Sequence, residues 1–142
     1  MPEIRVVGPA DTAELRQRVL RPRWTVERML AESDPVPGIA VVEDGRVVAC
    51  ASVRPEPMPG DPRDGDWRLR GMASDPDLRG RGYGALALAG ALDHARERGG
   101  TRVWCNARTG ALGFYEKHGF TVVGEEFVLP EGGPHHLAFT EL

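Results

Sequence analysis

The run Met72-Ala73-Ser74-Asp75-Pro76-Asp77-Leu78-Arg79-Gly80-Arg81-Gly82-Tyr83-Gly84 constrains the chain most, because it joins a strand-like segment to the longest helical stretch through three alternating glycines. Glycine reaches positive φ and lets another molecule approach the main chain closely. At the start of a helix, unpaired amide hydrogens with no side chains in the way form a concave set of donors. Arg79 and Arg81 add positive charge. The expected ligand of this turn is therefore a diphosphate. A dinucleotide fold would need G-x-G-x-x-G with an acid about 20 residues later. Here the spacing is G-x-G-x-G, the next strand candidate Arg102-Val103-Trp104-Cys105 has no acid, and G-K-[ST] is absent.

The segments around the turn alternate between strand and helix signals. Ile4 to Val7 reads as a strand, followed by a helix capped by Asp11 or Thr12 and ended by Pro22. Thr25 caps a second short helix to about Glu32. Ile39 to Glu43 and Arg46 to Val53 are β-branched runs around Asp44-Gly45, a strong hairpin signal. Residues 54–66 hold four prolines and two glycines, so a solvated surface loop is expected before a strand at Trp67 to Ala73. A helix from Gly82 to Arg98 stops at Gly99-Gly100. Beyond it lie a strand from Arg102, a short helix from Ala111 to His118, and strands at Thr121 to Val128 and His135 to Thr140. The order βααβββαβαββ describes an α/β (α+β) protein with one mixed central sheet of six to seven strands and about four helices.

Composition narrows the function classes. The 142 residues are 41% apolar and 27% charged, which fits one ordinary globular domain over residues 1–142. Eighteen basic against twenty-one acidic side chains give a net charge of -3, which argues against nucleic acid or acidic membrane as a partner. No apolar run approaches the roughly 18 residues of a membrane span, and Met1 to Arg5 lacks a signal-peptide pattern, so a cytoplasmic location is expected. Cys50 and Cys105 sit in apolar stretches away from any ligand-spaced partner, so both read as buried thiols and no metal site is expected. Trp24, Trp67 and Trp104 lie far apart without a basic stripe, as core or wall aromatics do.

Arg79-x-x-Gly82-x-Gly84, with Pro76 three residues upstream, resembles the coenzyme A pyrophosphate motif of the GNAT superfamily of acetyl-CoA-dependent N-acetyltransferases. A second block, Cys105-Asn106-Ala107-Arg108 followed by Ala111-x-x-Phe114-Tyr115-Glu116-Lys117-x-Gly119-Phe120, resembles the superfamily's next conserved stretch at the usual distance. Gly133-Pro134-His135 is similar to a feature of small bacterial members. The resemblance runs from about Ile4 to the C-terminus.

Moving an acetyl group from a thioester to an amine requires a deprotonated amine, a polarised carbonyl and a proton for the departing thiolate. The resemblance implies acetyl-CoA as co-substrate, with Arg79, Gly80, Arg81, Gly82 and Gly84 at its pyrophosphate. It implies main-chain contacts from Met72, Ala73 and Ser74 to the pantetheine arm and thioester, although Ser74 departs from the usual apolar residue. Asn106 is expected at the pantetheine or an ordered water, and Tyr115 as the acid for the thiolate. The base comes from Glu125, Glu126, His135 or His136. Neighbours along a strand face opposite sides, so only one of each pair looks inward; the apolar neighbours do not fix which, and Glu126 and His135 are taken as the candidates. The acidic residues Glu125, Glu126 and Glu131 favour a small cationic amine as acceptor. Peptide acetylation, or a non-catalytic coenzyme A-binding module, are the alternatives. Exposed sheet edges in so small a fold leave room for a homodimer.

Overall fold

The computed structural model describes residues 1–142. Its seven strands are β1 (Glu3–Val7), β2 (Gly38–Glu43), β3 (Arg46–Pro55), β4 (Asp66–Ser74), β5 (Arg102–Arg108), β6 (Thr121–Leu129) and β7 (Gly133–Glu141). The helices are α1 (Pro9–Leu20), α2 (Val26–Ala31), α3 (Tyr83–Glu97) and α4 (Leu112–Lys117). The sheet order is β1-β2-β3-β4-β5-β7-β6. This is the expected mixed sheet with four helices, in the expected chain order. No helix is long and apolar enough to cross a membrane. Two compact units are present, Met1–Val53 with Gly71–His94, and Arg54–Arg70 with Ala95–Leu142.

In the first unit, β2 and β3 form the expected hairpin. Asp44 and Gly45 both take positive φ, 50° and 78°, the conformation of a two-residue turn that matches strand twist. The α1 cap departs from expectation: Gly8 occupies it, and Asp11, three residues on, accepts from the Gly8 amide at 3.3 Å. Pro9 explains the shift, since it is well suited to a first helical position and cannot donate there. Leu15 of α1 packs with Cys50 and Ala73, a burial of the kind worth about 1.5–3 kcal/mol per large side chain. Arg16 ties α1 to the end of α2, its guanidinium donating to Ser33 Oγ at 2.9 Å and to the Pro9 carbonyl at 2.8 Å. Along α3, Ala87, Leu88 and Ala91 are buried. A Cβ at Gly90 would lie 2.8 Å from Ile39 Cγ2, so only glycine permits this helix–strand approach.

In the second unit, β4 pairs in parallel with β5 over Asp66–Arg68 and Arg102–Trp104. β7 pairs antiparallel with both β5 and β6. Residues 54–66 depart from a simple solvated loop. Met58 is buried, and its amide donates to Asp66 Oδ2 at 3.0 Å. Trp104 Nε1 donates to the Glu56 carbonyl at 2.8 Å. A buried carboxylate needs partners, and these interactions draw the proline-rich segment onto the sheet.

Candidate active site

The glycine turn belongs to the first unit. Ala73 is buried near the end of β4, with Met72 and Ser74 half-buried beside it. Asp75 follows with a buried carboxylate: Oδ1 accepts from the Asp77 amide at 3.0 Å, and Oδ2 accepts from Arg18 Nη2 at 3.5 Å. The Asp77 amide and Arg18 hold this carboxyl below the usual range. Its own amide donates to the Val48 carbonyl at 2.9 Å. Asp75 therefore anchors the chain just before the turn. Asp75-Pro76 is a capping signal carried by the sequence itself. A single 3-10 turn, Pro76–Leu78, leads to the exposed Arg79-Gly80-Arg81-Gly82 stretch.

Gly80 and Gly82 have φ of 82° and 77°, the left-handed region that side chains disfavour. A Cβ at either would meet no protein atom within 4 Å, so the space over the turn is open. The Gly82 carbonyl accepts from the Leu86 amide at 3.1 Å, which starts α3. Amides in its first turn have no earlier helical carbonyl to bond, and a 15-residue helix adds positive potential there. This arrangement suits a diphosphate: open main chain, helix N-terminus and two exposed arginines.

The other candidates belong to the second unit. Residues opposite one another in an antiparallel ladder project on the same side. The register Arg108↔His135 and Asn106↔Leu137 therefore places His135 on the face of Asn106 and Arg108. His136, opposite Ala107, lies on the reverse face. His135 is buried and stacks on Phe127 with ring centroids 6.0 Å apart. Its Nδ1 lies 2.7 Å from the Gly133 carbonyl oxygen. A carbonyl can only accept, so Nδ1 carries the proton and, in the neutral ring, Nε2 keeps the lone pair.

Glu125 and Glu126 are both exposed, contrary to the expected alternation. A register shift between Val123 and Phe127, with Gly124 at φ 76°, breaks the period-two pattern at this point. Glu126 accepts from Thr109 Oγ1 at 2.8 Å, and Thr109 Oγ1 lies 3.3 Å from His136 Nδ1. The hydroxyl's one proton goes to the carboxylate, so the imidazole donates to the hydroxyl oxygen. Glu126 is thus joined to His136 rather than to His135, through Thr109, which no local motif marks. Glu131 is exposed as well.

Tyr115 on α4 is buried, edge-on to Phe114 at 5.3 Å and to Phe120 at 5.2 Å. Burial drives its phenol well above the usual range, with Cys105 adding to the rise and Arg108 opposing it. The phenol stays protonated throughout the neutral range. Asn106 is half-buried on β5.

The model of the acetyltransferase (GNAT) family matches residues 10–120, which hold the glycine turn and the Asn106 to Phe120 block. The chain belongs to the GNAT family. It is an acyl-CoA-dependent acyltransferase by this membership. A relative from Bacillus subtilis (strain 168), the uncharacterised N-acetyltransferase YitI, is 33% identical over 145 residues, spanning 100% of this chain and 97% of its own. Solved GNAT-type folds agree. Ard1 from Thermoplasma volcanium superposes with a TM-score of 0.78 at 18% identity, covering 99% of this chain and 97% of its own. N-acetylglutamate synthase from Neisseria gonorrhoeae, solved with coenzyme A and N-acetyl-glutamate, gives a TM-score of 0.68 at 21% identity, covering 100% of this chain and 35% of the larger protein.

Proposed function

We propose that this GNAT protein transfers an acetyl group from acetyl-CoA to a primary amine of a small molecule by direct attack within a ternary complex. The observation that carries this reading is the open turn at the start of α3, where Gly80 and Gly82 hold left-handed backbone with no protein atom over their α-carbons. Its main-chain amides, with Arg79, Arg81 and Gly84, hold the diphosphate. Met72, Ala73 and Ser74 contribute main-chain contacts to the pantetheine and thioester, and Asn106 a side-chain amide. When bound, acetyl-CoA supplies an activated acetyl group and a thiolate leaving group.

The chain's own residues manage the protons. His135 takes the amine's proton at Nε2, directly or through water, because Nδ1 is committed to the Gly133 carbonyl. A carbon–nitrogen bond forms at the carbonyl, the carbon–sulfur bond breaks, and Tyr115 passes its phenolic proton to the sulfur. Burial keeps the phenol protonated at neutral pH and also makes it a weaker acid, so the transfer to sulfur is uphill. Glu126 belongs to the Thr109–His136 chain and acts through those groups.

The test is acetyl-CoA-dependent thiol release across a panel of amines, amino acids and peptides, with calorimetry of acetyl-CoA binding alongside. Turnover with small amines supports the reading. Tight binding with no turnover on any acceptor identifies a coenzyme A-binding module instead, and turnover confined to peptides identifies a peptide acetyltransferase.

A further inference from the structure

A second feature of the unit formed by residues 54–70 and 95–142 bears on the acceptor. The β6–β7 face and the stretch Met58–Asp61 border an open cavity of about 440 Å³, within the range of about 300–1,000 Å³ common for small-molecule sites. Val123, Leu137 and Phe139 supply its apolar floor. The opposite side is held in place by charge. Asp66 accepts the Met58 amide, and the Asp61 carboxylate accepts from Arg63 at 3.1 Å and from Arg102 at 3.2 Å. Those guanidiniums also serve Glu141 and Asp66, so the preference for an uncharged group comes from the apolar lining of Met58, Val123, Leu137 and Phe139.

The cavity also adjoins a candidate site residue. Leu137 stands directly opposite Asn106 in the β5–β7 ladder, so the two side chains leave the same face on strands about 5 Å apart. His135 projects from that face two residues before Leu137. A molecule whose reacting nitrogen lies near Asn106 and His135 can lay a substituent along β7 into this cavity.

We infer that the cavity receives the uncharged, apolar substituent of the acceptor, so that the favoured substrates are primary amines bearing an aliphatic or aromatic group. This rests on the acetyl-transfer reading above and gives it a substrate class. The acidic residues of β6 and the β6–β7 turn then do not set acceptor choice.

The experiment compares kcat/KM for 2-phenylethylamine and for ethylamine in the full-length protein and in Val123→Phe, which fills the cavity from the edge strand. The wild type should favour 2-phenylethylamine at least 10-fold, and Val123→Phe should lower that ratio about 10-fold, the scale on which apolar pockets discriminate. Leu137→Ala, which removes floor contacts without adding bulk, should lower the same ratio and serves if the larger side chain prevents folding. Thiol release with both amines at a ratio that neither variant changes overturns the pocket's role and leaves acetyl transfer standing. Absence of release with every amine overturns the acetyl-transfer reading and the pocket's role together.

Discussion

Arg102 and Asp66 face each other across the parallel β4–β5 pair as a two-pronged buried ion pair, Nε to Oδ1 at 2.8 Å and Nη2 to Oδ2 at 2.9 Å. Both side chains are at most 2% exposed. The same carboxylate accepts the amides of Met58 and Arg63. One acidic group therefore fastens the proline-rich segment to the sheet and shapes the wall of the cavity at Met58–Asp61.

Removing that charge should be costly. Asp66→Asn leaves a buried guanidinium with only the exposed Asp61 as counter-ion, and chemical denaturation should show a loss of about 3 kcal/mol. The Arg102 hydrogen bonds hold the carboxyl down to about 2, against about 3.9 in an unfolded chain. A lowered carboxyl stabilises the fold above the unfolded value and loses that contribution as pH falls toward the folded one. Wild-type stability should therefore drop by about 2 kcal/mol between roughly pH 4 and pH 2 from this group alone. Denaturation curves for Asp66→Asn should lack that part of the acid dependence, and an identical acid profile in both proteins would discount the pair.

Cys50 and Cys105 should be inert in the native state. Burial raises each thiol to about 12, with Arg16 only partly opposing the rise at Cys50 and Arg68 at Cys105. Thiolate is the reactive form, so a maleimide or disulfide reagent at pH 8 should label neither cysteine in the folded protein and both after denaturation. Fast native labelling at either position would show that its surroundings open readily.

Tyr115→Phe separates chemistry from binding. The substitution keeps the ring against Phe114 and Phe120 and deletes only the hydroxyl. Thiol release should fall about 100-fold or more while acetyl-CoA affinity by calorimetry stays within a factor of about two. Because burial holds the phenol protonated well above neutrality, the alkaline limb of the wild-type rate profile should not arise from this group. Undiminished turnover would remove Tyr115 from the mechanism.

Gly82→Val tests the diphosphate turn. The position has room for a Cβ as far as protein atoms are concerned, so the penalty comes from φ of 77° and from obstructed approach to the amides. Acetyl-CoA affinity should fall at least 10-fold, with the melting temperature lowered by only a few degrees, as expected for about 1–2 kcal/mol of backbone strain. Unaltered affinity in a folded variant would move the diphosphate elsewhere.

Local chemistry made much of this protein legible from its residues. Apolar periodicity and punctuation by Asp44-Gly45, Thr25 and Gly99-Gly100 announce the element order. The alternating glycines announce an open main-chain turn, because positive φ is a property of single residues. Where prolines crowd together between residues 54 and 66, the same local logic suggests only solvent. It misses that Asp66 and Arg102, 36 residues apart, meet in the interior.

Strand parity marks the boundary most clearly. Alternation implies that one of Glu125 and Glu126 turns inward, yet a bulge at Gly124 leaves both outside. Likewise, His135 and His136 are equivalent as neighbouring letters, and only the ladder with β5 puts His135 on the face of Asn106 and His136 with Thr109 and Glu126. Residue identity determined the backbone conformations available and the kind of ligand the turn can attract. Tertiary structure decided which side chains share a face and which charges neutralise one another, since register and ion pairing depend on distant segments that no local window contains.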